Sequence, residues 1–228
     1  GRVAHGDDEN DFYPVELSDE AVRPGTIYAD PYGHIFVVVE LMAQQGGRPG
    51  VLYAIDGQPD GSITRKRFWA GNFMWNPDPS LGGSGFKRFR PAIRGDAEED
   101  GTRPVGTPGN RMLRKIDGYG DVDEDVGALA AEAFFDRMHA VVSPEPVDVE
   151  VALREVVDAL SEAAKVRVTS VNNGLEYVKG HPSDPVTMPW GHAVFETSGP
   201  WENFSTPARD LRLLVAMDVT RDFVDRVL

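Results

Sequence analysis

The sequence predicts an α+β fold, in which an antiparallel β-sheet has a helical hairpin packed against one side. Three patterns indicate this architecture. Short apolar runs separated by Gly and Pro turns over residues 24–91 are typical of a meander of strands. Apolar residues spaced three and four apart over 125–166 indicate two amphipathic helices. Further apolar runs within 190–219 predict C-terminal strands that complete the sheet.

The chain begins with an acidic stretch that precedes the predicted sheet. Residues 1–22 mix Asp and Glu with isolated apolar side chains, a composition that buries too little surface to fold alone. We therefore interpret 1–22 as an N-terminal arm that packs on a domain. The remainder, 23–228, is expected to form a single α+β domain.

The meander is defined by turns and by β-branched residues. The run at residues 34–41 is typical of a central strand buried on both faces. Along the strand near residue 65, the two-residue period places Ile63, Arg65 and Arg67 on one face. The predicted strands of this part of the chain lie at residues 26–29, 34–41, 51–56, 63–69 and 86–91.

The second half of the chain alternates loops with helices and strands. Residues 94–120 are rich in Gly, Pro, Asp and Arg, which predicts a long surface loop. Asn172-Asn173-Gly174 is typical of a turn. The short, Pro-containing link between the two helices predicts that they pack antiparallel. The predicted helices lie at residues 125–142 and 148–166, and the predicted C-terminal strands lie at 191–197 and 211–219.

Composition excludes several functions. The 23 Lys and Arg residues face 37 Asp and Glu residues, and the net charge of -14 repels nucleic acid, so we expect no nucleic-acid partner. The longest apolar run, Ile35 to Val39, is far too short to span a membrane. The absence of cysteine excludes a disulfide, a thiolate zinc site and a cysteine nucleophile within these residues.

Two short motifs flank the central strand of the meander. Gly33-His34 opens the apolar run, and Asp56-Gly57-Gln58 follows the next strand. Together with the lead-in strand at residues 24–28, this order resembles the papain-like peptidases and amidases of the NlpC and CHAP type. The resemblance covers about a quarter of the chain. It implies that His34 is a catalytic base and that Asp56 or Gln58 orients its imidazole ring.

The nucleophile of that family is a cysteine at a helix N-terminus before the histidine, and this chain has none. The resemblance therefore implies a hydrolase scaffold for peptide or amide bonds, with a cell-wall substrate as one class, whose nucleophile is missing, replaced or on another fragment. The chain begins with Gly1 rather than Met, which favours a cleaved piece of a longer precursor. We expect the partner to be an upstream fragment of that precursor or another protein. The compartment stays open, with a secreted or periplasmic location slightly favoured over a cytoplasmic one.

Two further functions fit the same residues. One is a lyase or hydrolase in which Tyr32 and His34 act as acid and base and Arg65 or Arg67 holds an acidic sugar. In that arrangement Asp30 also lies near the end of the strand and contributes to a polar cleft. The other is a non-catalytic protein- or glycan-binding module. Segments at 56–61, 65–69 and 201–210 also resemble those of large uncharacterised bacterial proteins, which implies no activity.

A second cluster of candidate binding residues lies in the predicted loops near the C-terminus. Trp rings stack on sugars and Arg pairs with carboxylates, so the cluster suits glycan or peptide recognition. The alternative is a loop held in place by an ion pair of its arginine. The candidate residues of this cluster are Trp190, His192, Trp201, Glu202 and Arg209.

Four carboxylates have the spacing of a calcium-binding loop, but we predict no metal site and no cofactor. Asp121, Asp123, Asp125 and Glu132 occupy the first, third, fifth and twelfth positions. Val126 stands where such a loop requires glycine. Acidic residues at a helix N-terminus are favoured by the helix dipole, which explains them more simply.

Overall fold

The computed structural model describes residues 3–8, 10–31, 33–57, 63–96, 98–99, 105–183, 190 and 207–227. The chain divides into two compact units, where the sequence predicts one domain after the arm. The first unit comprises Gly1–Asp56, Arg65–Phe68 and Phe73–Pro146. The second comprises Gly57–Thr64, Trp69–Asn72 and Val147–Leu228.

The α+β class with an antiparallel sheet is confirmed. Six strands form one sheet in the order β1-β6-β2-β3-β4-β5, so the meander of β2, β3, β4 and β5 is extended by β6 and β1 on its other edge. A separate pair, β7 and β8, is also antiparallel. The strands are β1 (Phe12–Pro14), β2 (Ile27–Ala29), β3 (Ile35–Met42), β4 (Val51–Gly57), β5 (Ile63–Arg67), β6 (Gly85–Phe89), β7 (Ile93–Arg94) and β8 (Val105–Gly106).

The strand β3 is buried on one face only, so the prediction of two buried faces is wrong. Phe36 and Val38 are fully buried, whereas Val37 and Val39 are 36% and 38% exposed. The β-branched run reflects the preference of such residues for a pleated backbone. An antiparallel sheet needs only one covered face, and burial alternates in that way along β4 and along β3 up to the β-bulge at Val39.

The core of the first unit lies on the covered face of the sheet and is rich in aromatic rings. Tyr28 of β2 lies at the centre, with Phe73 and Phe86 both 4.9 Å away in edge-on contact. Trp75 stacks on Phe134 with ring centroids 4.0 Å apart. Such pairs add to the free energy gained from burying their large apolar surface.

The N-terminal stretch contributes a strand to this unit. Phe12–Pro14 forms β1, which pairs with β6 at the edge of the sheet. Tyr13 and Val15 are fully buried in the core. Residues predicted to form an arm thus cover part of the core that the meander would leave open.

The predicted helix at 125–142 is interrupted. Asp125–Ala128 forms a 3₁₀ turn, and the helix α2 spans Ala131–Val142. Leu129 and Ala130 between them are extended, and the Leu129 carbonyl accepts a hydrogen bond from the Trp75 indole at 2.9 Å. Upstream, the predicted loop at 94–120 contains β7, β8 and a short helix α1 (Asn110–Leu113), whose Leu113 is buried in the core.

The second unit is built on two long helices. The helix α3 spans Val149–Gly180, and Asp148 caps it by accepting the Val151 N–H at 3.0 Å. The helix α4 spans Pro207–Val227 and packs on α3. Trp69, Ala159 and Ala216 form the buried centre of this unit.

Two sequence predictions for this half of the chain are wrong. The turn at Asn172-Asn173-Gly174 lies within α3, because packing supplies stability that the propensities of these residues lack. The strand at 211–219 is part of α4, because Leu, Arg, Ala and Met are strong helix formers and its apolar residues pack on another helix. The two helices predicted within 125–166 fall in different units, α2 in the first and α3 in the second. The strand predicted at 191–197 lies outside the described residues.

Among the described residues, no helix is both long and apolar enough to cross a bilayer.

Candidate functional site

A tight turn between β2 and β3 positions the candidate base. The Asp30 N–H donates to the His34 carbonyl at 2.9 Å, and the Gly33 N–H donates to the Asp30 carbonyl at 3.0 Å. Gly33 has a φ of 108°, a conformation that favours glycine. The turn therefore delivers His34 directly to the start of β3.

The sheet register brings His34 beside Asp56. Phe36 of β3 lies opposite Asp56 at the end of β4, and His34 precedes Phe36 by two residues, so it projects to the same side. The His34 Nδ1 atom lies 3.2 Å from Oδ2 and 3.4 Å from Oδ1 of Asp56. The Asp56 side chain is 2% exposed and the His34 side chain is 37% exposed, so a buried carboxylate contacts an imidazole that reaches solvent.

Lys66 completes the site, and the sequence analysis missed it. Its ammonium lies 3.1 Å from Asp56 Oδ2 and 4.5 Å from the centroid of the Phe36 ring. The buried Asp56 carboxylate thus contacts both the His34 imidazole and the Lys66 ammonium. The two-residue period of β5 separates Lys66 from Arg65 and Arg67, but it does not show which face of the strand lies toward Asp56.

Arg65 and Arg67 are not part of this site. Successive side chains of a strand point to opposite faces, and Lys66 points to the face of Asp56. Both arginines therefore lie on the other face of the sheet, where the Arg65 guanidinium lies 4.5 Å from the centroid of the Tyr53 ring. An acidic sugar held by them would not reach His34.

The electrostatics of the site keep Asp56 ionised. Burial by itself would raise the pKa of Asp56, but the hydrogen bond with His34 and the charge of Lys66 outweigh it, so the pKa lies below its ordinary value. A carboxylate that stays ionised can accept the Nδ1 proton of the ring. The Nε2 lone pair is then left to take a proton from a reacting group.

The other predicted site residues are placed as follows. Asp30 is fully buried at the turn, and its charge adds to the effect of burial in raising the pKa of Tyr28. Trp190 is 92% exposed. Arg209 lies in α4, and its side chain lies outside the described part of the chain. The residues that lie wholly outside the described ranges are Tyr32, Gln58, His192, Trp201 and Glu202.

Within the described ranges, no group of three or more His, Asp or Glu side chains is arranged to hold a metal ion. Two of the four carboxylates with calcium-like spacing bind protein groups. Asp121 accepts hydrogen bonds from Tyr13 at 3.0 Å and from Arg88 at 2.7 Å. Asp123 accepts the Asp125 N–H at 2.9 Å, as at the start of a helical turn.

No family model matches this sequence, and no curated protein and no solved structure matches it either. The geometry of His34, Asp56 and Lys66 is therefore the basis for a functional proposal.

Proposed function

We propose that the first unit is a papain-like hydrolase scaffold in which His34 is the general base for cleavage of a peptide or amide bond. The observation that carries the proposal is the 3.2 Å contact between His34 Nδ1 and the buried carboxylate of Asp56. A base–orienter pair of this kind fixes the tautomer of the imidazole and stabilises the imidazolium that forms during reaction.

The proton balance of the proposed step is simple. Nε2 of His34 takes a proton from the nucleophile, which attacks the carbonyl carbon, and then returns it to the amine that leaves as the C–N bond breaks. The chain has no cysteine. The nucleophile is therefore not a thiol of these 228 residues, and we assign it to a water molecule or to a thiol outside them. Lys66 supports the step indirectly, since it helps to keep Asp56 ionised.

The tautomer of His34 tests the proposal without knowledge of the substrate. In ¹⁵N NMR spectra recorded with the His34 imidazole in its neutral form, we expect the ring proton on Nδ1. We expect the Asp56→Asn variant to lose that preference. His139 is exposed on α2 and serves as the internal reference. A His34 ring protonated on Nε2 in the unsubstituted protein would contradict the proposed role.

Activity gives the second test. Peptide amides are incubated with the chain alone and with the full-length product of its gene, and the products are identified by mass spectrometry. Loss of a general base costs about a hundredfold or more in rate, so His34→Ala should lower cleavage by that factor. His139→Ala is the matched control and should have no effect. Full activity of His34→Ala would exclude a catalytic role.

A second candidate function rests on Trp190. We propose that its indole, exposed to 92%, binds a glycan ring or an apolar side chain of a partner, since large exposed rings favour stacking contacts. Trp190→Ala should then abolish binding on a glycan array, whereas His34→Ala should leave it intact. Equal binding by both variants would refute this role for Trp190.

A further inference from the structure

The first unit carries an open groove at the end of β3 opposite to His34. The groove has a volume of about 790 Å³. Three stretches line it: the end of β3 and the loop after it, the C-terminal end of α2 with the Pro-rich segment that follows, and residues between Asp19 and Pro24. His34 is not among the lining residues.

One wall of the groove is a strand that extends beyond its neighbour. β2 begins at Ile27, which pairs with Val37, and the Val38 N–H donates to the Thr26 carbonyl just beyond it. β3 continues to Met42 and pairs there with β4, after a β-bulge between Val38 and Glu40. In the described part of the chain, no strand pairs with β3 beyond Val38 on the side of β2. Past the bulge, residues 40–42, or roughly 10 Å of strand, are thus available to another extended segment.

The groove is held open by the protein itself. The Gln44 amide donates to the Glu145 carbonyl at 2.9 Å, and its Oε1 accepts the Glu145 N–H at 2.9 Å. The Ser143 hydroxyl accepts the Gly50 N–H at 3.0 Å. These bonds tie the loop after β3 to the segment after α2, so a ligand meets a preformed site and loses less entropy on binding.

The lining combines apolar surface with negative charge. Val39, Val142, Pro144 and Pro146 contribute apolar contacts. The lining contains three exposed carboxylates, those of Asp19, Glu40 and Glu145, and one guanidinium, that of Arg23. None of the ion pairs in the described part of the chain involves these three carboxylates, so they can complement a cationic ligand.

We propose that this groove binds an extended peptide of another protein, which adds a short strand to β3 and carries a Lys or Arg between apolar side chains. Backbone hydrogen bonds along the strand edge provide affinity, and the groove walls select the side chains. A second copy of this chain is disfavoured as the occupant, because each copy has a net charge of -14 and two copies repel each other. The site is independent of the chemistry proposed for His34.

Fluorescence anisotropy with labelled heptapeptides tests the proposal on the full chain. The peptides have mixed Val, Ile, Leu and Thr at six positions, and Lys, Arg, Glu or Leu at the centre. Because each exposed ion pair contributes modestly, we expect peptides with a central Lys or Arg to bind about tenfold tighter than those with a central Glu. N-methylation of alternate peptide amides should abolish binding, since it removes donors to the strand edge.

Charge reversal identifies the groove as the site. The Glu40→Lys, Glu145→Lys double variant should lose the preference for cationic peptides. The Glu98→Lys, Asp117→Lys double variant changes the net charge equally at exposed positions outside the groove and should retain it. The proposal is overturned if no peptide binds, if the central charge makes no difference, if N-methylated peptides bind equally well, or if sedimentation shows a dimer that the groove variant disrupts.

Discussion

The buried histidine His5 makes the stability of the protein depend on pH, and replacing it by Leu should remove that dependence. The residue is 8% exposed, and its Nε2 atom has no hydrogen-bond partner among the described residues. Burial, reinforced by the charge of Lys87, lowers the pKa of His5 from 6.5 to about 4, against the opposing effects of Asp123 and of a hydrogen bond to the Ser84 backbone. The ring is therefore neutral in the folded protein at neutral pH.

The sign and size of the effect follow from the two pKa values. Between pH 6.5 and pH 4 the unfolded chain binds a proton at His5 and the folded chain does not, so the free energy of unfolding falls as the pH falls. A shift from 6.5 to about 4 corresponds to about 3 kcal/mol when complete. At pH 5 the loss relative to pH 8 is about 2 kcal/mol.

Urea unfolding at pH 8, 7, 6 and 5 measures this difference, with tryptophan fluorescence as the signal. Trp75 is a suitable reporter because its ring centroid lies 6.3 Å from that of His5. The His5→Leu variant should lose about 2 kcal/mol less than the unsubstituted protein between pH 8 and pH 5. His139→Leu, at an exposed position on α2, should lose as much as the unsubstituted protein. Parallel pH profiles for the protein and the His5→Leu variant would refute the reasoning, as would an NMR titration of His5 near pH 6.5.

Two other substitutions test the same unit. Burial lowers the pKa of Lys87 from 10.5 to about 8, so between these values the unfolded chain binds a proton that the folded chain does not. The free energy of unfolding should therefore rise by about 2 kcal/mol between pH 7.5 and pH 10, and this rise should be absent in Lys87→Met. Denaturant titrations at both pH values measure the difference. Gly85→Ala places a methyl group 2.6 Å from the Trp75 ring at a φ of 116°, and should cost about 3 kcal/mol or more. In thermal unfolding, Gly106→Ala is the control, because its added methyl group meets no atom of the described residues within 4 Å. Equal effects of the two substitutions would contradict the packing argument.

The two site residues that the sequence predicted, His34 and Asp56, lie in segments that a local sequence pattern defines. Gly33 before an apolar run indicates a turn that delivers His34 to a strand, and a strand of similar length followed by Asp56 returns beside it. The pairing of β3 with β4 in the structure then places the two side chains 3.2 Å apart. Lys66 was missed because β5 offers three cations in succession, and only pairing with β4 shows which of them points toward Asp56.

The sequence by itself determined the strands of the meander and the start of α3, because turn chemistry and side-chain period act over a few residues. Tertiary structure decided that residues 211–219 are helical, since an apolar run suits a strand or a helix until its packing partner is known. It also decided which side chains face the buried carboxylate and where β3 extends past β2. These features depend on register and on contacts between segments distant in sequence, which no local pattern specifies.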